Sequence, residues 1–214
     1  MTRTILPSLV FAVVVLGCAD LIEPNPVQKA AFSAASLCDV KKLEAMVDKD
    51  HSVLTVRKGP NGDTLLHFAA AHGCPGAVEL LISKGMEVHI RNDNAETALH
   101  RAVEHGCRRV AEKLLAHGAD VNAVVNSQPR GVGGGWHALM ELSGGTPLHY
   151  AAFEGSMEMA KLLIDHGADL AAKDYHGQTP ADVAETRESH ELARYLAECV
   201  AGGEAATNTR DNHN

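Results

Sequence analysis

The sequence predicts an all-α solenoid of about five helix-turn-helix units, each joined to the next by a projecting β-turn finger. Three observations predict it. Four frames, "TLLHFAAAHG" from Thr64, "TALHRAVEHG" from Thr97, "TPLHYAAFEG" from Thr146 and "TPADVAETRE" from Thr179, begin on the same residue at spacings of 33, 49 and 33. Each frame is followed by an apolar helical stretch: "AVELLISKG", "VAEKLLAHGAD", "MAKLLIDHGAD" and "LARYLAECV". The composition, 45% hydrophobic but only 4% aromatic, suits one globular or repeat domain rather than a disordered or fibrous chain.

In chain order, the first residues have the layout of a secretory signal: Arg3, an apolar run over residues 9–16, then small Gly17 and Ala19. That run is too short to span a bilayer, and Pro7 and the "EPNP" turn isolate it from the downstream chain. Residues 1–17 are read as a signal peptide and 18–27 as a linker. "VLGC" at residues 15–18 resembles the lipobox of bacterial lipoproteins, with Val15 and Leu16 departing from its commonest residues. That resemblance implies lipidation of Cys18, and Ala19 after it implies sorting to the outer membrane. The rival is simple cleavage after Ala19, which gives a soluble periplasmic protein.

Each unit's local structure is dictated by its residues. Thr at the head of a frame is an N-cap whose hydroxyl can accept from backbone N–H groups, and Pro147 and Pro180 suit the first helical position. The alanine pairs Ala69–Ala70 and Ala151–Ala152 favour helix and add little volume, so neighbouring helices can approach closely. Gly73, Gly106 and Gly155 end the short helix in a left-handed conformation. A second helix with a Leu-Leu stripe and an extended connection complete the unit. One unit cannot bury its own apolar face, so stability comes from stacking between polar end caps.

These frames resemble ankyrin repeats, in the Thr-Pro-Leu-His helix start, the alanine pair and the "HGAD" close at residues 117–120 and 166–169. The resemblance covers about residues 60–200, and a degenerate unit, "AAFSAASLCDVKKLEAMV", extends it back to about Val27. Units are placed at about 28–59, 60–92, 93–125, 142–174 and 175–200, with an inserted loop at 126–143. Lys41 and Lys42 in the first unit and "ETRESH" in the last supply polar outer surfaces. The tail from Ala201, "AGGEAATNTRDNHN", has almost nothing to bury and is expected to be disordered over 201–214.

The chain's 13 histidines recur in register. His67, His100 and His149 share one place, His72 and His105 a second, and His117 and His166 a third. Residues related by the period stand in a line, whereas a metal needs ligands converging on one point. The reading is hydrogen bonding to the backbone of neighbouring turns, and no metal or cofactor. Cys74 and Cys107 occupy equivalent places in adjacent units, so their Cα atoms should lie about 8–10 Å apart, beyond the roughly 7 Å limit for a bridge. Cys38 lies one place earlier and Cys199 at the far end. All four are read as small buried hydrophobes.

No nucleophile elbow, phosphate loop, paired-cysteine zinc motif or HExxH is present. "GVGGG" at residues 131–135 lacks the Lys-Ser/Thr that a phosphate loop requires, and His137 with Glu141 is two potential ligands without a third. The protein is therefore expected to be non-catalytic. A net charge of −8 without a basic cluster argues against nucleic acid.

In the resemblance, function lies on a concave face of short helices and fingers that engages another protein. The place after the Leu-His pair carries Phe68, Arg101 and Tyr150, and three residues on stand Ala71, Glu104 and Phe153. Aromatic and Arg side chains are the types enriched at binding hot spots; Phe68 and Phe153 are read equally well as gap fillers between helices. One finger, between Asp120 and Thr146, is 16 residues longer than its counterparts at 87–97 and 169–179. It holds Arg130, the only tryptophan, Trp136, and His137. Loops of this length are usually functional or disordered, and the reading is a binding element folding over the groove with Trp136 as anchor. The expected protein is a monomeric, exported protein-binding module whose only membrane contact is the anchor. The rivals are an inhibitor or immunity protein that inserts residues 127–145 into an enzyme or toxin, and an envelope scaffold supporting an oxidant-handling enzyme.

Overall fold

A computed structural model describes residues 25–125 and 143–208, with side chains to Gly202. Its helices fall in five pairs, the first member being the shorter in every pair but the first. They are α1 (Pro26–Ser36) and α2 (Val40–Lys49), α3 (Leu65–Ala71) and α4 (Pro75–Ser83), α5 (Ala98–Glu104) and α6 (Arg108–Ala116), α7 (Pro147–Phe153) and α8 (Met157–Asp165), and α9 (Pro180–Thr186) and α10 (His190–Asn208). A 3-10 helix, His51–Leu54, comes directly after α2. The first helices of successive pairs pack in an inner row, α1 to α3 to α5 to α7 to α9; α2, α4, α6 and α8 form an outer row behind it. Among the described residues the only β pairing is two isolated bridges, Lys58 with Asp63 and Arg91 with Thr97, at the bases of two fingers.

The four threonines form one row of N-caps, with extended backbone at Thr64, Thr97, Thr146 and Thr179. What their side chains bond differs from the simple cap. The Thr64 backbone N–H donates to His67 Nδ1 at 3.3 Å, and its hydroxyl lies 2.8 Å from the same nitrogen. The same pairs recur at Thr97 with His100 and at Thr146 with His149. Histidine thus takes the part that Glu or Gln plays three residues into a capping box. In the last unit Asp182 replaces it, accepting from the Thr179 N–H at 2.8 Å and hydroxyl at 2.7 Å.

Because Nδ1 accepts, the imidazole proton sits on Nε2. His67 Nε2 donates to the Glu96 carbonyl at 3.0 Å and His149 Nε2 to the Gln178 carbonyl at 3.1 Å. Each ring therefore caps its own helix and bonds the finger of the next unit. Burial pushes all three rings below the ordinary histidine range, His100 to about 3. His72 and His166 close helices through Nδ1, paired with the carbonyls of Phe68 and Leu162.

One apolar core runs the length of the stack, built on Leu43, Leu65, Leu66, Leu81, Leu99, Leu114, Leu148, Met159, Leu163 and Leu196. Each such leucine contributes about 1.5–3 kcal/mol relative to exposure. The outer helices are laced by ion pairs across unit boundaries: Lys84 to Asp48 at 2.7 Å, Lys113 to Glu79 at 2.6 Å, and Arg108 to Glu158 at 2.9 Å.

A column of left-handed residues links short helix to long: Cys38, Gly73, Gly106, Gly155 and Glu188, with φ between 55° and 67°. Only the first and last depart from glycine. Here the structure corrects the reading of the cysteines as four buried hydrophobes. Cys38, exposed, is disulfide-bonded to buried Cys74, with Cα atoms 5.1 Å apart. The bond is diagonal, from the left-handed position of one unit to the place one residue further on in the next. Equivalent places are one stacking distance apart, whereas this diagonal is short. Cys107 and Cys199 are free and half-buried, and Cys74 does not pair with Cys107.

A second correction concerns the C-terminus. Helix α10 does not stop near Val200 but continues to Asn208. The helix runs on through Gly202 and Gly203 despite their low helix propensity, its nucleus supplied by the packed residues Leu192, Ala193 and Leu196 before them. Residues 209–214, the signal segment with Cys18, and the inserted loop from 126 to 142 lie outside the described residues.

The two ends of the insertion do lie within them. Val125 N–H donates to the Gly145 carbonyl at 3.0 Å and Gly144 N–H to the Val125 carbonyl at 2.9 Å. Asn92 to Glu96 and Asp174 to Gln178 make the equivalent closing bond in the regular fingers. The insertion leaves and re-enters the stack at one point. Gly144 is required there: its φ is +81°, and a Cβ would come within 2.7 Å of the Tyr175 backbone nitrogen.

Candidate protein-binding surface

Phe68, Arg101 and Tyr150 occupy the same place on successive inner helices, but these three do not share an environment. Phe68 is half-buried, packed edge-on against Phe32 at 4.9 Å and stacked on His72 at 5.9 Å, with the Lys58 ammonium 5.5 Å above its ring. Phe68 therefore both fills a gap and keeps an exposed edge.

Tyr150 is a correction. It is only 4% exposed, and its hydroxyl donates to Glu96 Oε1 at 3.0 Å. Burial first, and then the Glu96 carboxylate, hold its phenol well above the ordinary range. It lies beneath the face instead of on it.

Arg101 sits between. Its side chain is 15% exposed, with Nη1 bonded to Glu104 and Nη2 3.8 Å from Asp63 Oδ2. Asn92 Nδ2 donates to both Asp63 and Glu96 at 2.8 Å, so Asp63, Asn92, Glu96, Tyr150, Arg101 and Glu104 form one largely buried polar network beneath the middle of the groove. Burial pushes Glu104 upward and the Glu96 and Glu154 carboxylates add to this, with Arg101 opposing. His105 beside it is pushed down, by burial and then by Arg101. Glu104 remains partly accessible.

At the C-terminal end of the face Phe153 is half-buried, with the Arg187 guanidinium 4.1 Å over its ring. It floors an open cavity of about 300 Å³ lined also by His176, Gln178, Val183, Thr186 and Arg187. Apolar floors with a few polar groups at the wall are what a partner's anchoring side chain fills.

Of the predicted contact residues, the structure brings Phe68, Arg101, Glu104 and Phe153 to the inner face, buries Tyr150 beneath it, and does not describe Arg130, Trp136 and His137. Sequence reasoning missed Asp63, Asn92 and Glu96. A signal was present: Asp63 and Glu96 each directly precede a frame's threonine, where the later units have Gly145 and Gln178. Among the described residues no cluster of three or more His, Cys, Asp or Glu could hold a metal, and no helix is long and apolar enough to cross a membrane.

Stacked helix pairs with capped short helices, paired finger bases and a continuous inner face define a repeat solenoid built for protein recognition. The family model for ankyrin repeats (three copies) matches residues 29–125 and 132–211, and the chain belongs to the ankyrin-repeat family. No curated protein matches the chain. The repeats make it a protein-binding repeat module.

Proposed function

We propose that this chain is a non-catalytic module exported to the bacterial envelope, tethered there through Cys18, that binds a partner protein through its inner face and the 127–145 insertion. The observation that carries the binding reading is the inner row itself. Half-buried Phe68 and Phe153 flank the Arg101–Glu104 pair, and a cavity opens beside Phe153. The lipobox-like "VLGC" carries the anchor. The Cys38–Cys74 disulfide supports export, because such bonds persist in oxidising compartments.

Cross-linking in intact cells, followed by capture, tests the reading. Phe68→Ala, Phe153→Ala and Trp136→Ala should each lower recovery of the cross-linked partner at least tenfold. Glu79→Ala on the outer row should leave it unchanged. Equal recovery with every inner-face variant defeats the reading. Mature-protein mass tests the anchor separately: acyl chains on Cys18 are expected, and an unmodified N-terminus at Asp20 ends that part.

A further inference from the structure

The first junction of the stack has no imidazole link and one disulfide. In the second and fourth units an imidazole reaches across to the next unit's finger, from His67 to Glu96 and from His149 to Gln178. In the first unit that place is filled by Phe32, fully apolar and 1% exposed. Its left-handed corner is Cys38, with φ 55°, where the three units after it use glycine. The first unit therefore lacks the imidazole link that His67 and His149 make, and carries a strained corner. Among the described residues it has a neighbouring unit on one side only. Arg57 donates to the Arg91 carbonyl at 2.9 Å and Lys84 to Asp48 at 2.7 Å across this junction, and its one covalent link is the Cys38–Cys74 bond.

We propose that this disulfide is a redox-operated latch: intact, it docks residues 25–59 on the stack; reduced, it releases them. The two sulfurs are unequal, since Cys38 is exposed and Cys74 is 1% exposed. The reductant is a dithiol. Its thiolate attacks the accessible Cys38 sulfur, forming a mixed disulfide and expelling Cys74 as a thiolate that takes up a proton. The dithiol's second sulfur then displaces Cys38, which is protonated in turn. Two electrons and two protons pass to the protein, and the dithiol leaves as a disulfide.

Release has a consequence for the face. Phe32 of the first unit is the edge-on partner of Phe68, and Lys58 lies over both rings at 5.3 and 5.5 Å. The N-terminal end of the groove therefore exists only while the first unit is docked. This extension to binding rests on the function proposed above; the latch does not.

Amide hydrogen exchange on the full chain tests the latch, comparing the oxidised protein with protein reduced by dithiothreitol, with the thiols counted by mass. Protection across residues 25–59 should fall at least tenfold, that across 98–116 and 147–165 should change less than twofold, and reoxidation should restore it. Cys38→Ser should reproduce the reduced pattern without reductant. Unchanged protection of 25–59 in fully reduced protein overturns the latch, and so does loss of protection in all units together. Should Cys38→Ser fail to accumulate, the reversible reduction of the natural chain decides alone. Partner recovery then separates the two ideas: a working latch with unaltered binding strikes the groove reading only.

Discussion

The second finger and the interrupted third one differ at their tips and agree at their bases. In the second, Asn92 Oδ1 accepts from the Asn94 and Glu96 N–H groups, and three residues make the turn. In the third, Val125 stands where Asn92 stands, cannot accept, and hands the chain to a far longer excursion. Yet Val125 and Gly145 form the closing bond that Asn92 and Glu96 form. The stack thus reads the base of a finger and is indifferent to its tip. Beneath the third finger, however, His100 Nε2 has no hydrogen-bond partner, whereas His67 and His149 have one each. The Ala123 and Gly145 carbonyls lie near enough to favour its proton without completing a bond. The excursion leaves the geometry of the stack intact and weakens one junction.

The sharpest way to break this comparison is acid. All three imidazoles are held neutral by burial, with His100 at about 3 against an ordinary 6.5. Their contribution is fully present above pH 6.5. It is lost as pH falls below that value, because the unfolded chain then takes up protons that the folded chain refuses. His100 adds a slope of about 1.4 kcal/mol per pH unit between 6.5 and its folded value, so it alone should remove about 3 kcal/mol by pH 4, and His67 and His149 act in the same direction. Urea melts between pH 7 and 4 should show this, and stability flat across that window contradicts the buried neutral rings.

Next in size, His149→Ala should cost about 3–4 kcal/mol, through the lost cap, the lost cross-unit bond and the space left behind. His100→Ala, with one bond fewer to lose, should cost about 1 kcal/mol less. Equal losses would mean that the third junction is not the weak one. The smallest effect is expected from replacing residues 126–144 with the tip of the second finger, residues 93–95, together with Val125→Asn. The fold should persist, and closure of a shorter loop should stabilise it by about 1–2 kcal/mol. Collapse of the circular-dichroism signal would show that the insertion supports the stack.

The parts legible in the sequence are those the period repeats. Thr64, Thr97, Thr146 and Thr179 form a row because each caps the equivalent helix of its unit, and His67, His100 and His149 recur because each meets its threonine through Nδ1. What escaped are contacts that cross the register. Comparing equivalent places set Cys74 against Cys107, while the bond runs diagonally to Cys38. Tyr150 shares a column with Phe68 and Arg101, yet its exposure is decided by Glu96, 54 residues earlier in the chain. The tail escaped for a different reason: a helix already nucleated by packing runs on through Gly202 and Gly203, a pair that in the sequence reads as a helix end.

The diagonal at the left-handed corner reaches beyond the first junction. A Cβ built on Gly73 would lie 3.1 Å from the Cys107 sulfur, about the separation that a cystine imposes between one Cβ and the opposite sulfur. A single replacement, Gly73→Cys, would thus staple the second joint as nature has stapled the first, against the resistance of a left-handed backbone that Cys38 already tolerates. Chains carrying neither, one or both staples would form a graded series for timing how unravelling travels inward from the N-terminal end.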